Sequence, residues 1–239
     1  MGDGMITDVK EEILRSLENA STPEKRAFDK KLIDTEKRIV GVKTAVADGI
    51  VGASLKGNYG DPEKLIFLLP DDVYETVLIK CGIISGLPVG DEKRKELIDA
   101  VLPSIDNWAN CDFFVARSKY MRKNHPFWFE YTRGLISSQH DFTVRFAIVS
   151  LMSYFLGDDY IDETLGIAAN VRGDDYYVGT AVSWLFATAL AKNYDKAVRY
   201  LETGGIKRAF VHNTAIKKAS ESFRISPERK TYLKTLKRV

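Results

Sequence analysis

The sequence has few of the residues that build disulfide frameworks or metal sites. Its 239 residues include two cysteines and three histidines, and Cys81 and Cys111 stand thirty residues apart with no C-x-x-C motif. This number and spacing give no support to a disulfide framework or to a structural zinc site. We therefore expect no metal ion, no cofactor, and two buried thiols in a reducing cytoplasm.

Long apolar runs are also missing. No segment approaches the roughly eighteen uninterrupted apolar residues of a membrane-spanning helix, and the first residues, MGDGMITDVKEE, lack the apolar region of a secretory signal. Apolar residues make up 45% of the chain and charged residues 28%, with only seven prolines, which is typical of a soluble globular protein. We expect a cytoplasmic protein that does not enter a membrane.

Helix-start signals recur along the chain. They are STPEK at 21, GDPEK at 60, LPDD at 69, GDEK at 90, NHPF at 124 and SPERK at 226. Proline suits the first helical position because its missing N–H would have no partner there. Between these signals apolar residues recur at three and four, as in KEEILRSLENA, and no alternation is bounded by hairpin turns. The pattern predicts an all-α protein of roughly a dozen short helices.

An internal repeat accompanies these helices. The segment DFTVRFAIVSLMSYFLGDDY at 141–160 aligns with DYYVGTAVSWLFATALAKNY at 175–194, thirty-four residues later, and DVYETVLIKCGIISGL from Asp72 is a weaker relative. Two unrelated amphipathic helices would share the apolar period, but not the aspartate, aromatic residue and tyrosine that also coincide. Periods of this length are typical of α-solenoids, in which antiparallel helix pairs stack around a concave groove. We expect one continuous right-handed array over residues 20–239.

Positive charge is concentrated at the C-terminal end. Residues 207–239 contain ten Lys or Arg residues against Glu221 and Glu228, although the whole chain carries a net charge of only +2. Such an excess is enough for a surface that faces a polyanion. A solvated helix face that is merely basic remains the alternative.

Four residues on the predicted helices could carry chemistry. The segment SIDNWANCD at 104–112 puts Trp108 and Asp112 on one helix face. Arg145 follows on a later helix, thirty-seven residues after Trp108, and Trp184 on another, thirty-nine residues after Arg145. Indole faces attract positive charge, a carboxylate stabilises a developing cation, and an arginine holds a phosphate or orients the carboxylate. Spacing alone leaves a plainer alternative open, with both tryptophans in the core and Asp112 paired structurally with Arg145.

These motifs carry a resemblance to a known family. Together with HNTAIKKASESFRISPERKTYLKTLKR, they resemble the DNA alkylation repair family of HEAT-like repeat proteins, the AlkD-type DNA glycosylases, from about residue 20 to the C-terminus. In that family a Trp-x-x-x-Asp pair, an arginine on the next repeat and a tryptophan on the following repeat line the concave, DNA-facing surface. The resemblance implies catalytic roles for Asp112, Trp108, Arg145 and Trp184.

The resemblance also implies a fold, a partner and a reaction. We expect a single HEAT-like repeat domain over residues 1–239, with residues 1–5 as a candidate disordered segment, that acts as a monomer on double-stranded DNA. The DNA contacts are expected from Phe28, Lys217, Lys218 and Arg224. Family members that act as glycosylases remove cationic N3- and N7-alkylated purines, and the family is thought to leave the target base inside the duplex.

The N-terminal third departs from the family pattern. Phe28 stands where glycosylase members have a tyrosine, and IVGVKTAVADGIVG lacks the proline and arginine that commonly follow GV, with Asp48 near the expected positive charge. A missing cation weakens binding to phosphate. The alternatives are therefore a non-catalytic member that binds DNA, another nucleic acid or a protein through the same face, and a plain protein-interaction solenoid, which would need an apolar or acidic face.

Overall fold

The protein is all-helical. The computed structural model describes residues 3–238, with side chains from residue 8 onward. Within that range it contains fourteen α-helices, two short 3-10 helices and no strand, and the only β-type pairing is an isolated bridge between Arg38 and Val73. The predicted all-α class is confirmed. Among the helices of this range, none is both long and apolar enough to cross a membrane.

The helices fall into two compact units, Met1–Tyr120 and Met121–Val239. The helices of the first unit are α1 Asp3–Ala20, α2 Pro23–Leu32, α3 Thr44–Leu55, α4 Pro62–Leu68, α5 Tyr74–Gly86, α6 Asp91–Val101 and α7 Trp108–Arg117. Those of the second unit are α8 His125–Leu135, α9 Asp141–Tyr154, α10 Ile161–Ala169, α11 Tyr176–Lys192, α12 Tyr194–Glu202, α13 Ala209–Glu221 and α14 Pro227–Thr235. The 3-10 helices are Leu102–Ser104 and Lys119–Arg122. The single domain over residues 1–239 stays a prediction, and residues 1 and 2 of its candidate disordered segment lie outside the described residues.

Five of the six helix-start signals coincide with the start of a helix. Thr22, Asp61 and Ser226 cap α2, α4 and α14, each through a side-chain oxygen that accepts a backbone N–H of the first turn, and each helix then begins with proline. Gly90 precedes α6 and Asn124 precedes α8, although neither supplies a side-chain cap. Side-chain capping therefore accounts for three of these five helix starts.

The sixth signal, LPDD at 69, is wrong as a helix start. Helix α5 begins four residues after Pro70, at Tyr74. The backbone of residues 72–74 is engaged elsewhere, since the Arg38 N–H donates to the Asp72 carbonyl and the Tyr74 N–H donates to the Arg38 carbonyl. A pairing with a segment more than thirty residues away therefore delays the helix, and no local signal in the sequence reveals it.

In the first unit, α5 is the central helix. It packs against α3, α4, α6 and α7, and every residue from Tyr74 to Ile84 is buried. Burial on all sides explains why this helix shows little contrast between an apolar and a polar face. Both cysteines, Cys81 on α5 and Cys111 on α7, are buried free thiols, as predicted.

In the second unit, α11 is the central helix. It packs against α9 and α13, and α10 and α12 also contact it. The repeated apolar residues are buried, and they form the pairs Val144/Val178, Ala147/Ala181, Ile148/Val182 and Leu151/Leu185. The repeated aspartates differ, because Asp175 caps α11 by accepting the Val178 N–H at 2.7 Å, whereas His140 caps α9 and Asp141 begins it.

Candidate functional site

Helix α7 presents Trp108 and Asp112 at the margin of its buried face. Asn107 caps the helix by accepting the Asn110 N–H at 2.9 Å, and Trp108 is therefore its first residue. Asn110 in turn donates to the Tyr74 carbonyl at 3.3 Å, which ties α7 to α5. Cys111, Phe114 and Val115 are fully buried, while Trp108 and Asp112 keep intermediate exposure. The predicted pair thus shares one face of the helix, next to its buried side.

Arg145 lies on α9 and is only 6% exposed. Its Nη1 donates to the Tyr177 carbonyl at 2.8 Å and to Thr180 Oγ1 at 3.4 Å, both near the start of α11. Thr180 Oγ1 also donates to the same carbonyl at 3.0 Å. These contacts hold one side of the guanidinium in a fixed orientation.

Trp184 lies on α11 with its side chain 40% exposed. It lines a surface depression of about 290 Å³ formed by α11 and the C-terminal end of α13. The other lining residues are Ala187, Thr188, Ala191, Lys218, Glu221, Ser222 and Arg224. An exposed indole thus shares one concavity with two cationic side chains, an arrangement that suits a polyanion with flat, apolar groups.

The structure brings three of the predicted residues together, namely Trp184, Lys218 and Arg224. Lys217, next to Lys218 on α13, is exposed. Trp108 and Asp112 belong to the first unit and Arg145 and Trp184 to the second. A common site for these four residues therefore stays a prediction from the resemblance.

A family model described as DNA alkylation repair enzyme matches residues 13–223, which is most of the chain. The chain belongs to this DNA alkylation repair family. Comparison with curated proteins found no match, and comparison with solved structures found none either. The match covers α7, α9, α11 and α13, which carry six of the eight predicted site residues.

Phe28 is a surface residue of α2, 59% exposed, with Lys25 Nζ at 5.6 Å from the centre of its ring. The resemblance implies a tyrosine at this position, and Phe28 lacks its hydroxyl. Helix α2 also exposes Lys30 and Lys31, so an aromatic side chain and cations share this surface. This composition is compatible with the predicted DNA contact.

The GV segment of this family member is fixed by a buried carboxylate that the sequence did not single out. Glu75 accepts the Val40 N–H at 3.0 Å and the Gly41 N–H at 2.7 Å. Gly41 has φ +85°, and a Cβ at this position would lie 2.4 Å from the Arg26 Cα, so only glycine fits against α2. Burial, with Asp29 and Glu75 nearby, raises the pKa of the Tyr74 hydroxyl. The GV segment is thus held by the Glu75 carboxylate on one side and by its close contact with α2 on the other.

Asp48 forms an ion pair within the first unit. Arg117 Nη2 donates to Asp48 Oδ1 at 2.5 Å, and the guanidinium carbon of Arg117 lies 3.6 Å from the centre of the Phe113 ring. Asp48 was predicted to lie near an expected positive charge, but its partner Arg117 was not predicted. The pair neutralises a cation that would otherwise attract phosphate.

Residues 236–238, at the end of the basic region, are attached to α13. The Leu236 carbonyl lies 2.8 Å from Nε2 of the buried His212, which must donate there because a carbonyl oxygen only accepts. Asn213 exchanges two hydrogen bonds with the backbone of Arg238, whose Nη1 donates to the Ile206 carbonyl at 2.7 Å. His212 Nδ1 is buried and has no hydrogen-bond partner.

We expect acid to destabilise this attachment. Burial lowers the pKa of His212 below its usual 6.5, a hydrogen bond to Leu236 opposes the shift, and the charge of Arg238 adds to it. The unfolded chain therefore binds a proton more readily than the folded one, and the free energy of unfolding falls as pH drops through the range below 6.5. Lowering the pH from 7.5 to 5.5 should reduce the melting temperature of His212→Gln less than that of the wild type. Equal reductions would contradict the role of His212 in this acid destabilisation.

Proposed function

We propose that this protein binds double-stranded DNA and hydrolyses the N-glycosidic bond of cationic N3- or N7-alkylated purines. Membership of the DNA alkylation repair family supports the substrate class. The main structural support is the exposed indole of Trp184, which lines one depression with Lys218 and Arg224. Cations beside an exposed aromatic ring favour contact with phosphate and sugar.

The chemistry needs little acid catalysis, because an alkylated purine already carries a positive charge. As the bond from C1′ to the base breaks, the base leaves neutral and positive charge develops on the sugar. Asp112 stabilises that charge and positions a water molecule for attack at C1′, and as the new C–O bond forms the proton of that water passes to solvent. Trp108 and Trp184 contact the deoxyribose through cation–aromatic interactions.

Arg145 is proposed as a positioning residue. Its burial and its hydrogen bonds to Tyr177 and Thr180 hold the guanidinium in one orientation, which suits a positioning role better than a mobile contact with a surface phosphate.

The proposed HEAT-like solenoid is supported within the second unit by α9 and α13, which both pack on α11. A monomer is the expected form of the protein.

The proposal is tested with duplex DNA that has been treated with a methylating agent. We expect the protein to generate abasic sites, which alkali then converts into strand breaks, and to release free alkylated purines in equal amount. Strand breaks without free base would show a nuclease instead, and the absence of both would reject the activity.

A non-catalytic, duplex-binding protein is the second candidate. The pairing of Arg117 with Asp48 and the lack of a hydroxyl at Phe28 favour the loss of catalysis in this candidate, since both leave fewer groups in the first unit to hold the DNA backbone in place for the reaction. This protein would bind duplex DNA as tightly with a lesion as without one and would leave no abasic sites.

We expect Asp48→Asn to increase the affinity for duplex DNA. The change releases Arg117 from its ion pair and gives the surface one more cation, so the salt dependence should steepen by about 0.9 in log–log slope and affinity should rise about threefold. Fluorescence anisotropy at several salt concentrations measures both values. Asp99→Asn is the control, since it removes an equal charge on α6, where Asp99 pairs with Lys95 at 3.1 Å. Equal gains in the two variants would show a general charge effect only.

A further inference from the structure

The side chain of Phe223, in the turn between α13 and α14, is fully exposed. The other exposed large apolar side chains all retain partial cover, including Phe67 at 63% exposed. A phenylalanine that stays exposed gains none of the stability that burial of its side chain would contribute. The ring is therefore available for an external contact, and its surroundings indicate of what kind.

The turn that carries Phe223 is fixed on both sides. The Ser222 N–H donates to the Ala219 carbonyl at 3.1 Å, and the Arg224 N–H donates to Ser222 Oγ at 3.2 Å. Ile225 is buried and Ser226 caps α14. The backbone thus presents the ring from a well-anchored position, which lowers the entropy cost of binding through it.

The surroundings of the ring are mainly cationic. Ser222 and Arg224, on either side of Phe223, line the depression that also contains Trp184 and Lys218, with Glu221 as its one carboxylate. Lys217 is exposed on the adjoining turn of α13. A bare apolar wedge within a basic surface is complementary to duplex DNA, whose phosphates attract the cations while the stacked bases accept the ring.

We propose that Phe223 inserts between base pairs of bound duplex DNA and partly unstacks them, next to the contacts made by Trp184, Lys218 and Arg224. This inference rests on the proposed binding of double-stranded DNA, but it does not require base excision. Insertion of an apolar side chain into a base step unwinds and bends the duplex. A step opened beside the lesion would expose the deoxyribose to the attacking water without moving the base into a pocket.

DNA unwinding tests the proposal. Closed circular plasmid is relaxed by a topoisomerase in the presence of increasing amounts of protein, and its linking number is measured after the protein is removed. We expect the wild type to lower the linking number in proportion to the bound protein. Phe223→Ala should leave the linking number unchanged at equal occupancy of the DNA, with affinity reduced roughly tenfold, and Phe223→Trp should retain the unwinding.

Phe67→Ala is the matched control, because it removes an exposed phenylalanine from α4 of the first unit, and it should behave as the wild type. If the wild type and Phe223→Ala unwind DNA equally at equal occupancy, the wedge is rejected while DNA binding stands. If the wild type fails to bind duplex DNA at low salt, the proposed function itself fails, and the wedge fails with it. Unchanged melting temperatures confirm that each variant is folded.

Discussion

Asp112→Asn is expected to reduce the release of N7-methylguanine from duplex DNA by at least about a hundredfold, the scale on which a single electrostatic stabiliser acts. Asparagine keeps the size and the position on α7, but it removes the charge that stabilises the cationic sugar. The affinity for DNA should change little, because the affected interaction develops only as the glycosidic bond breaks. Single-turnover excision and binding are measured on the same preparations.

Asp99→Asn on α6 is again the control, since it should preserve excision. A structural role for Asp112 would give a different pattern: the melting temperature of Asp112→Asn would fall steeply, as it does when a buried cation loses its partner. A large thermal loss, in a protein whose wild type releases no base, would reject the catalytic role of this carboxylate.

The double reversal Lys217→Glu/Lys218→Glu is expected to weaken duplex binding on every sequence alike. Both lysines are exposed on α13, and Lys218 shares the depression with Trp184 and Arg224. Loss of two phosphate contacts should lower the log–log salt slope by about 1.8 and the affinity at moderate salt by at least about tenfold. Melting temperature should stay close to that of the wild type, because neither side chain is in the core.

The control for this reversal is Lys93→Glu/Lys95→Glu, which makes the same change in charge on α6. Its lysines pair with Glu63, Glu96 and Asp99 at the surface of the first unit. Equal losses of affinity in the two double variants would show that net charge alone drives binding, and the basic region of residues 207–239 would lose its assigned role.

Local chemistry made much of the fold predictable. Thr22, Asp61 and Ser226 each cap a helix that begins with the following proline, and the repeat at 141 and 175 predicted two helices that pack on each other. The late start of α5 was not predictable, because it depends on backbone bonds with Arg38, more than thirty residues away. Hydrogen bonds between segments so far apart in the sequence leave no periodic pattern in either segment.

The candidate site residues stay a prediction from the sequence, and the contacts around them were not predictable. Spacing put Trp108 and Asp112 on one face of a helix, and composition marked residues 207–239 as basic. The pairing of Arg117 with Asp48 and the hydrogen bonds from Val40 and Gly41 to Glu75 join distant segments, so no local pattern predicts them. The exposure of Phe223 was not predictable either, because phenylalanine side chains are usually buried.

Two duplexes that differ in one base test directly whether this protein excises cationic purines. One carries a single cationic N7-methylguanine and the other an uncharged uracil at the same position, and each is incubated with excess wild-type protein while free base is quantified over time. We expect release of N7-methylguanine well above its spontaneous rate, and no release of uracil, because the neutral base is a poor leaving group without acid catalysis. Release of N7-methylguanine no faster than in buffer, from DNA that the protein demonstrably binds, would contradict the proposed excision.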